Sequence, residues 1–198
     1  MKRNTLITIG VIVGLVVIII IWIININNGM VNRNQAVKNT WAKVESQYQR
    51  RMDLYESEIN TIKGSADFEQ KTLTQVIAAR SGANMKLDPD KFTADDLQKY
   101  QAAQAQYKTA FNLVVEQYPQ IKTTEQFMQF EQQEEGTENR INKARNDFND
   151  AVIDYNTFSQ RFPNSIFLGG RYPEKAYFQA DEGASKNPKI DFSSGSQK

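Results

Sequence analysis

Residues 37–62 read VKNTWAKVESQYQRRMDLYESEINTI. Apolar side chains recur there at Val37, Trp41, Val44, Tyr48, Met52, Tyr55, Ile59 and Ile62, in steps of 4, 3, 4, 4, 3, 4 and 3. Side chains three and four residues apart share one face of an α-helix, so this rhythm describes an amphipathic helix and not a strand. The phase continues through Ala66, Leu73, Val76 and Ile77. The spacing therefore predicts one helix from Val31 to Ser81, weakened or bent at Gly64 and stopped at Gly82 and Asn84. Such a helix would be roughly 75 Å long.

Two more faces of the same kind follow. Leu87-Asp88-Pro89-Asp90 reads as a turn, and Thr93 with Asp96 as a capping box. Beyond it, Leu97, Tyr100, Tyr107, Phe111, Val114 and Tyr118 line a second helix that Pro119 ends. Thr123 with Gln126 reads as another capping box. A third face runs Phe127, Phe130, Ile141, Ala144, Phe148, Val152, Tyr155, Phe158 or Ser159, and Phe162, and Pro163 stops it. Amphipathic helices with short connections pack antiparallel. The fold class is all-α: an antiparallel bundle of three long helices, or of four if the first splits at Gly64.

Upstream lies a segment of another kind. Residues 4 to 32 carry no charge, and Leu6–Ile24, LITIGVIVGLVVIIIIWII, is nearly unbroken aliphatic. Nineteen helical residues reach roughly 28 Å, close to the hydrocarbon thickness of a bilayer. Trp22 stands near its end, where an indole favours the interface. No alanine occurs before Ala36, so a small-residue cleavage site is missing and the segment reads as an uncleaved single-pass anchor. Asn25, Asn27, Asn28 and Gly29 mark the return to polar surroundings and a possible joint. The expected organisation is a head and anchor over 1–29, a bundle over 30–165, and an irregular segment over 166–198. That last segment should dock in part, with a disordered end at 193–198.

Composition removes many functions. The chain has no histidine and no cysteine, which excludes the usual zinc sites, thiol nucleophiles, serine–histidine triads and haem ligation. Gly169-Gly170 is not followed by Lys-Ser/Thr, so it is not a phosphate loop. Without Lys2 and Arg3 the chain carries 22 basic and 23 acidic residues, which argues against a nucleic-acid partner. Asp88 and Asp90 fail as a calcium loop because Phe92, Thr93 and Lys99 stand where a ligand, a glycine and a glutamate are needed. No catalytic residue, cofactor or metal site is expected. Lys2 and Arg3 lie closest to the span and favour a head-inside, body-outside orientation.

Three blocks carry a resemblance. They are NTWAKVESQYQRRMDL with INTIKGSADFEQKTLTQVIAAR at 39–54 and 59–80, EQYPQIKTTEQFMQFEQQEEGTENRINKARNDFNDAVIDYNTFSQRFPNSIF at 116–167, and YFQADEGASKNPKIDF at 177–192. In these blocks the chain resembles the LemA family, whose members have an N-terminal anchor. The resemblance implies an anchored antiparallel helical bundle and no established chemistry. It also implies a short N-terminus outside and the body in the cytoplasm, opposite to the charge reading. Relatives often have a Pro-Asn-Leu-Val step where this chain reads Glu56-Ser57-Glu58-Ile59, so a straighter helix is expected here.

Two polar constellations stand out. Glu131, Glu134, Glu135 and Glu138 share a helix face, where like charges repel by a few tenths of a kcal/mol per pair. Compensation could come from Arg50 and Arg51 on the first helix, from a divalent cation, or from a basic partner; a solvated face is the simplest alternative. Thr137, Glu138, Asn139 and Arg140, with Arg145, Asn146, Asp147 and Asn149, flank Ile141, Ala144 and Phe148. They read as a partner surface or as a half-buried network that fixes helix register. Tyr48, Tyr55, Tyr100, Tyr107 and Tyr118 read as packing aromatics. The functional expectation is a membrane-anchored scaffold for protein partners or for further copies of itself. The alternatives are a small-ligand or divalent-cation binder on the acidic face, or a lipid-surface sensor using the aromatic segment 166–178.

Overall fold

The computed structural model describes residues 3–65, 70–168 and 170–179. They form α1 (Arg3–Ser65), α2 (Gln70–Ala83), α3 (Ala94–Gln117), a 3-10 turn (Pro119–Thr123), α4 (Glu125–Gln160) and a short α5 (Asn164–Leu168). No strand occurs among the described residues. The fold is an all-α, up-down-up-down four-helix bundle. Arg33 pairs with Asp154 and Arg51 with Glu138, so α1 and α4 run antiparallel. Thr72 bonds Gln117 and Gln104 bonds Ala83, so α2 and α3 do the same. Tyr48 meets Tyr100 and Tyr55 meets Tyr107, which sets α3 parallel to α1.

The α1 face predicted from Val37 to Ile62 is buried at all eight positions, and it extends down to Met30 and Ile26. The prediction of one helix from Val31 to Ser81 is wrong. α1 ends one residue beyond Gly64, where the weakest non-proline helix former removes support, and α2 runs back beside it. Arg80 consequently reaches Glu56 at 2.7 Å, and Ile77, expected on the continuing face, is exposed. Ala66 lies outside the described residues. The suspected joint at Asn25–Gly29 is uninterrupted helix. Its glycine serves close packing: a Cβ on Gly29 would stand 3.0 Å from the Phe158 ring of α4.

The capping pattern holds at one helix and shifts by a residue at another. Thr93 and Asp96 form the capping box expected at the start of α3. Thr124, not Thr123, caps α4, accepting from the Phe127 N–H; with Phe127 at the third position no box closes. Phe162 leaves the apolar face and is exposed beyond the end of α4, before a cis Phe162–Pro163 bond.

The core is two apolar layers. One surrounds Trp41, whose indole is ringed by Phe92, Tyr100, Phe148 and Phe178 at centroid distances of 5.0 to 6.1 Å. The other is built on Tyr55, stacked 4.1 Å above Phe111, with Ile62, Val76 and Phe130. Below both, α1 continues past the bundle. Every large apolar side chain from Leu6 to Ile24 except Ile23 is exposed, and the mean hydropathy reaches 3.3. This part of α1 is long and apolar enough to cross a membrane.

Candidate functional site

Between the two apolar layers lies a polar one. Arg51 follows Tyr48 by three residues and precedes Tyr55 by four, so it projects inward with them and is only 4% exposed. Its guanidinium donates to the Gln104 carbonyl at 3.1 Å, to the Gln104 Oε1 at 2.9 Å and to Glu138 at 3.1 Å, and it stacks 4.9 Å from the Tyr48 ring. The Gln104 amide donates in turn to the Ala83 carbonyl at the end of α2, at 2.7 Å. One arginine and one glutamine thus tie all four helices. The Tyr55 hydroxyl donates to Glu134 at 2.7 Å, and Lys108 lies 3.2 Å from Glu138 and 3.7 Å from Glu134. Two cations face two carboxylates, so the layer is charge-balanced.

The titrations follow from this geometry. Burial pushes the Glu138 carboxyl up, but Arg51 and Lys108 outweigh it and hold the group below its ordinary value. Burial, then the Glu134 carboxylate that accepts its proton, drive the Tyr55 phenol far above the tyrosine range. It keeps its proton at neutral pH, as a hydrogen-bond donor to Glu134 and not a base.

The second polar constellation holds the C-terminal segment. Asn156 donates to the Lys175 carbonyl and accepts from the Lys175 N–H, both at 2.9 Å. Seven residues earlier, and so on the same face of α4, Asn149 does the same to Phe178, at 2.9 and 2.8 Å. Two side-chain amides thereby imitate a strand edge and hold residues 175–178 as an extended strap. The Lys175 ammonium is buried under it. It donates to the Pro89 carbonyl at 2.7 Å and to Asp90 at 3.0 Å, and lies 5.0 Å from the Tyr155 ring. Burial raises the Asp90 carboxyl, but Lys38 and Lys175 outweigh it and hold it at about 2. Residues 180–198, including Ile190, Phe192 and the expected disordered end, lie outside the described residues.

The residues marked by the sequence separate accordingly. Arg51, Glu134 and Glu138 meet in the polar layer. Arg50, one helical step from Arg51, is exposed and does not face the acidic stripe. Glu131, Glu135 and Arg140 are exposed. Arg145 is half-buried over the Phe178 ring at 4.8 Å and donates weakly to the Gln179 carbonyl at 3.5 Å. Gln104, Lys108, Asn156 and Lys175 join the two constellations without having been expected there. For Gln104 a signal existed: it fills the gap between Tyr100 and Tyr107 in its stripe, as Thr137 does before Ile141. Among the described residues no three carboxylates converge as a metal-binding group.

A family model described as the LemA family matches residues 40–192, well over half of the chain. No curated protein matches it. The matched range takes in the polar layer and the strap, and begins just before Trp41.

Proposed function

This chain belongs to the LemA family, and from that premise we propose that it is a membrane-anchored bundle that holds protein partners, or further copies of itself, at the membrane surface. One observation carries the reading. α1 is a single helix whose Leu6–Ile24 part exposes apolar surface on all sides, while its part from Ile26 to Ile62 buries one face in the bundle. A helix apolar all round suits lipid, and one with a single apolar face suits a protein core. The same helix is therefore both anchor and first member of the bundle.

The polar layer is read as register-fixing. Its charges are balanced and its strongest hydrogen bonds are internal, so it offers little to a ligand. The bundle acts through its surface, and no reaction is assigned to it. Site-specific crosslinking in native membranes, from exposed positions such as Arg50, Glu131 and Arg140, tests the reading. Reproducible adducts are expected; monomer alone from every position overturns it. Protease treatment of intact cells fixes the side on which the bundle lies.

A further inference from the structure

We propose that the corner between α4 and α5 is a second membrane contact, in which Phe162, Ile166 and Phe167 enter the bilayer interface beside the span and Arg161 and Arg171 meet the headgroup phosphates. The proposal rests on the reading of Leu6–Ile24 as the membrane span and deepens it.

The first argument is depth. Contacts between the end of the bundle and α1 descend the helix step by step. Phe158 packs against Gly29, the Tyr172 hydroxyl donates to Asn27 at 3.3 Å, and Leu168 shares a core with Ile26. The Phe167 ring meets the Trp22 ring edge-on, with centroids 5.4 Å apart. At 1.5 Å per residue, Trp22 lies about 10 Å below Gly29. Trp22 stands inside the apolar run, before its end at Ile24. A side chain that touches it shares its depth, and that depth is the boundary of the hydrocarbon.

The second argument is what this corner exposes. α5 is docked in a fixed orientation by Asn164 and Leu168, both buried, with the Asn164 amide donating to the Phe158 carbonyl at 3.0 Å. The face that remains outward is apolar: Phe162 is 77% exposed, Ile166 67% and Phe167 41%. Elsewhere among the described residues of the bundle no such run occurs: Ile77, Leu113 and Ile153 each stand singly along their helices. Clustered apolar surface marks a contact, and its place beside the span makes lipid the contact. Arg161 and Arg171 are exposed on either side of the cluster, where guanidinium groups suit anionic headgroups.

The chain has no cysteine, so single labels can be placed cleanly. The test uses the full chain carrying Ile166→Cys with a nitroxide label, in vesicles of phosphatidylcholine and phosphatidylglycerol. Val16→Cys reports on the span and Ser46→Cys on the water-exposed bundle. A label at 166 is expected to collide with dissolved oxygen in preference to a nickel chelate, as at 16, with the order reversed at 46. Lipid-like behaviour at 16 but water-like behaviour at 166 overturns the proposal and leaves the anchor standing. Water-like behaviour at both overturns the two together. Shielding of 166 from both reagents, with dipolar broadening, replaces lipid by a second copy and overturns it too. Phe162→Cys, the most exposed of the three, repeats the measurement where packing is least disturbed.

Discussion

Arg51 donates to both the main-chain and the side-chain oxygen of Gln104, at 3.1 and 2.9 Å, across 53 residues of chain. The pair crosses the bundle from α1 to α3, and Glu138 closes the arrangement from α4. Apolar layers above and below would tolerate a helix slipping by a turn; a buried guanidinium with fixed acceptors would not.

Arg51→Ala should therefore lower stability by about 2–4 kcal/mol, because it leaves the Gln104 oxygens without their buried donor and Glu138 with Lys108 alone. For a chain of this size that is a fall of roughly 10 °C in melting temperature, followed by circular dichroism in detergent. Replacing the group together, as Arg51→Met/Gln104→Leu/Glu138→Gln, should recover most of the loss, since the charges go together and only the Ala83 carbonyl loses its side-chain donor. A triple variant as unstable as Arg51→Ala would show that packing, not polarity, is the issue.

Asn156→Leu should release the strap. Both of its amide bonds to Lys175 disappear, and two backbone groups are left to find water. Bundle stability should fall by about 1–3 kcal/mol. Limited trypsinolysis reads the local effect: cleavage after the buried Lys175 should be slow in the native chain and rapid in the variant. Unchanged cleavage would mean that the strap is held mainly by Phe178.

Acid should loosen both the strap and the polar layer. Asp90 is held at about 2, against an ordinary 3.8, and Glu138 also lies below its ordinary 4.5. Both are depressed carboxylates, so their contributions are complete above those ordinary values and vanish as pH falls through the folded ones. The melting temperature should hold steady down to about pH 5 and drop between about pH 4 and pH 2. Asp90→Asn should start lower at neutral pH and lose less in acid. An equal acid drop in the variant would remove Asp90 from the explanation.

Two glycines of α1 should respond in opposite directions. At Gly29 a side chain meets the Phe158 ring, and Gly29→Leu should cost about 1–3 kcal/mol by overpacking. At Gly64 nothing stands within 4 Å of the position a Cβ would take, and Gly64→Ala should gain about 0.5–1 kcal/mol through helix propensity. Thermal melting of the two variants distinguishes a glycine held by close packing from one with open space around it.

Much of this architecture is legible in periodicity. The stripe from Val37 to Ile62, the box at Thr93 and the stop at Pro119 follow from spacing and capping, which act locally. The split after Gly64 is legible only as an alternative, because a glycine inside a continuing phase weakens a helix without dictating its end. Beyond it the expected face divides, with Val76 buried and Ile77 exposed. Of the acidic stripe, Glu134 and Glu138 turn inward and Glu131 and Glu135 outward, a division that depends on where α1 and α3 lie. Gln104 sits among Gln101 and Gln106, chemically identical; only its place in a stripe of aromatics marks it out. The strap-holding role of Asn149 and Asn156 is not legible at all, because their partners are backbone groups of a segment with no periodicity to read.

The unbroken run of α1 from Arg3 to Ser65 has a mechanical consequence. From Met30 to Ser65 it measures roughly 54 Å. Spans lean to match the thickness of the bilayer they occupy. On the reading of Leu6–Ile24 as the span, with no break between it and the bundle, a change of about 10° in that lean would swing the far end sideways by roughly 9 Å. A small deformation of the bilayer would thus be amplified, like the movement of a lever, at the end farthest from it.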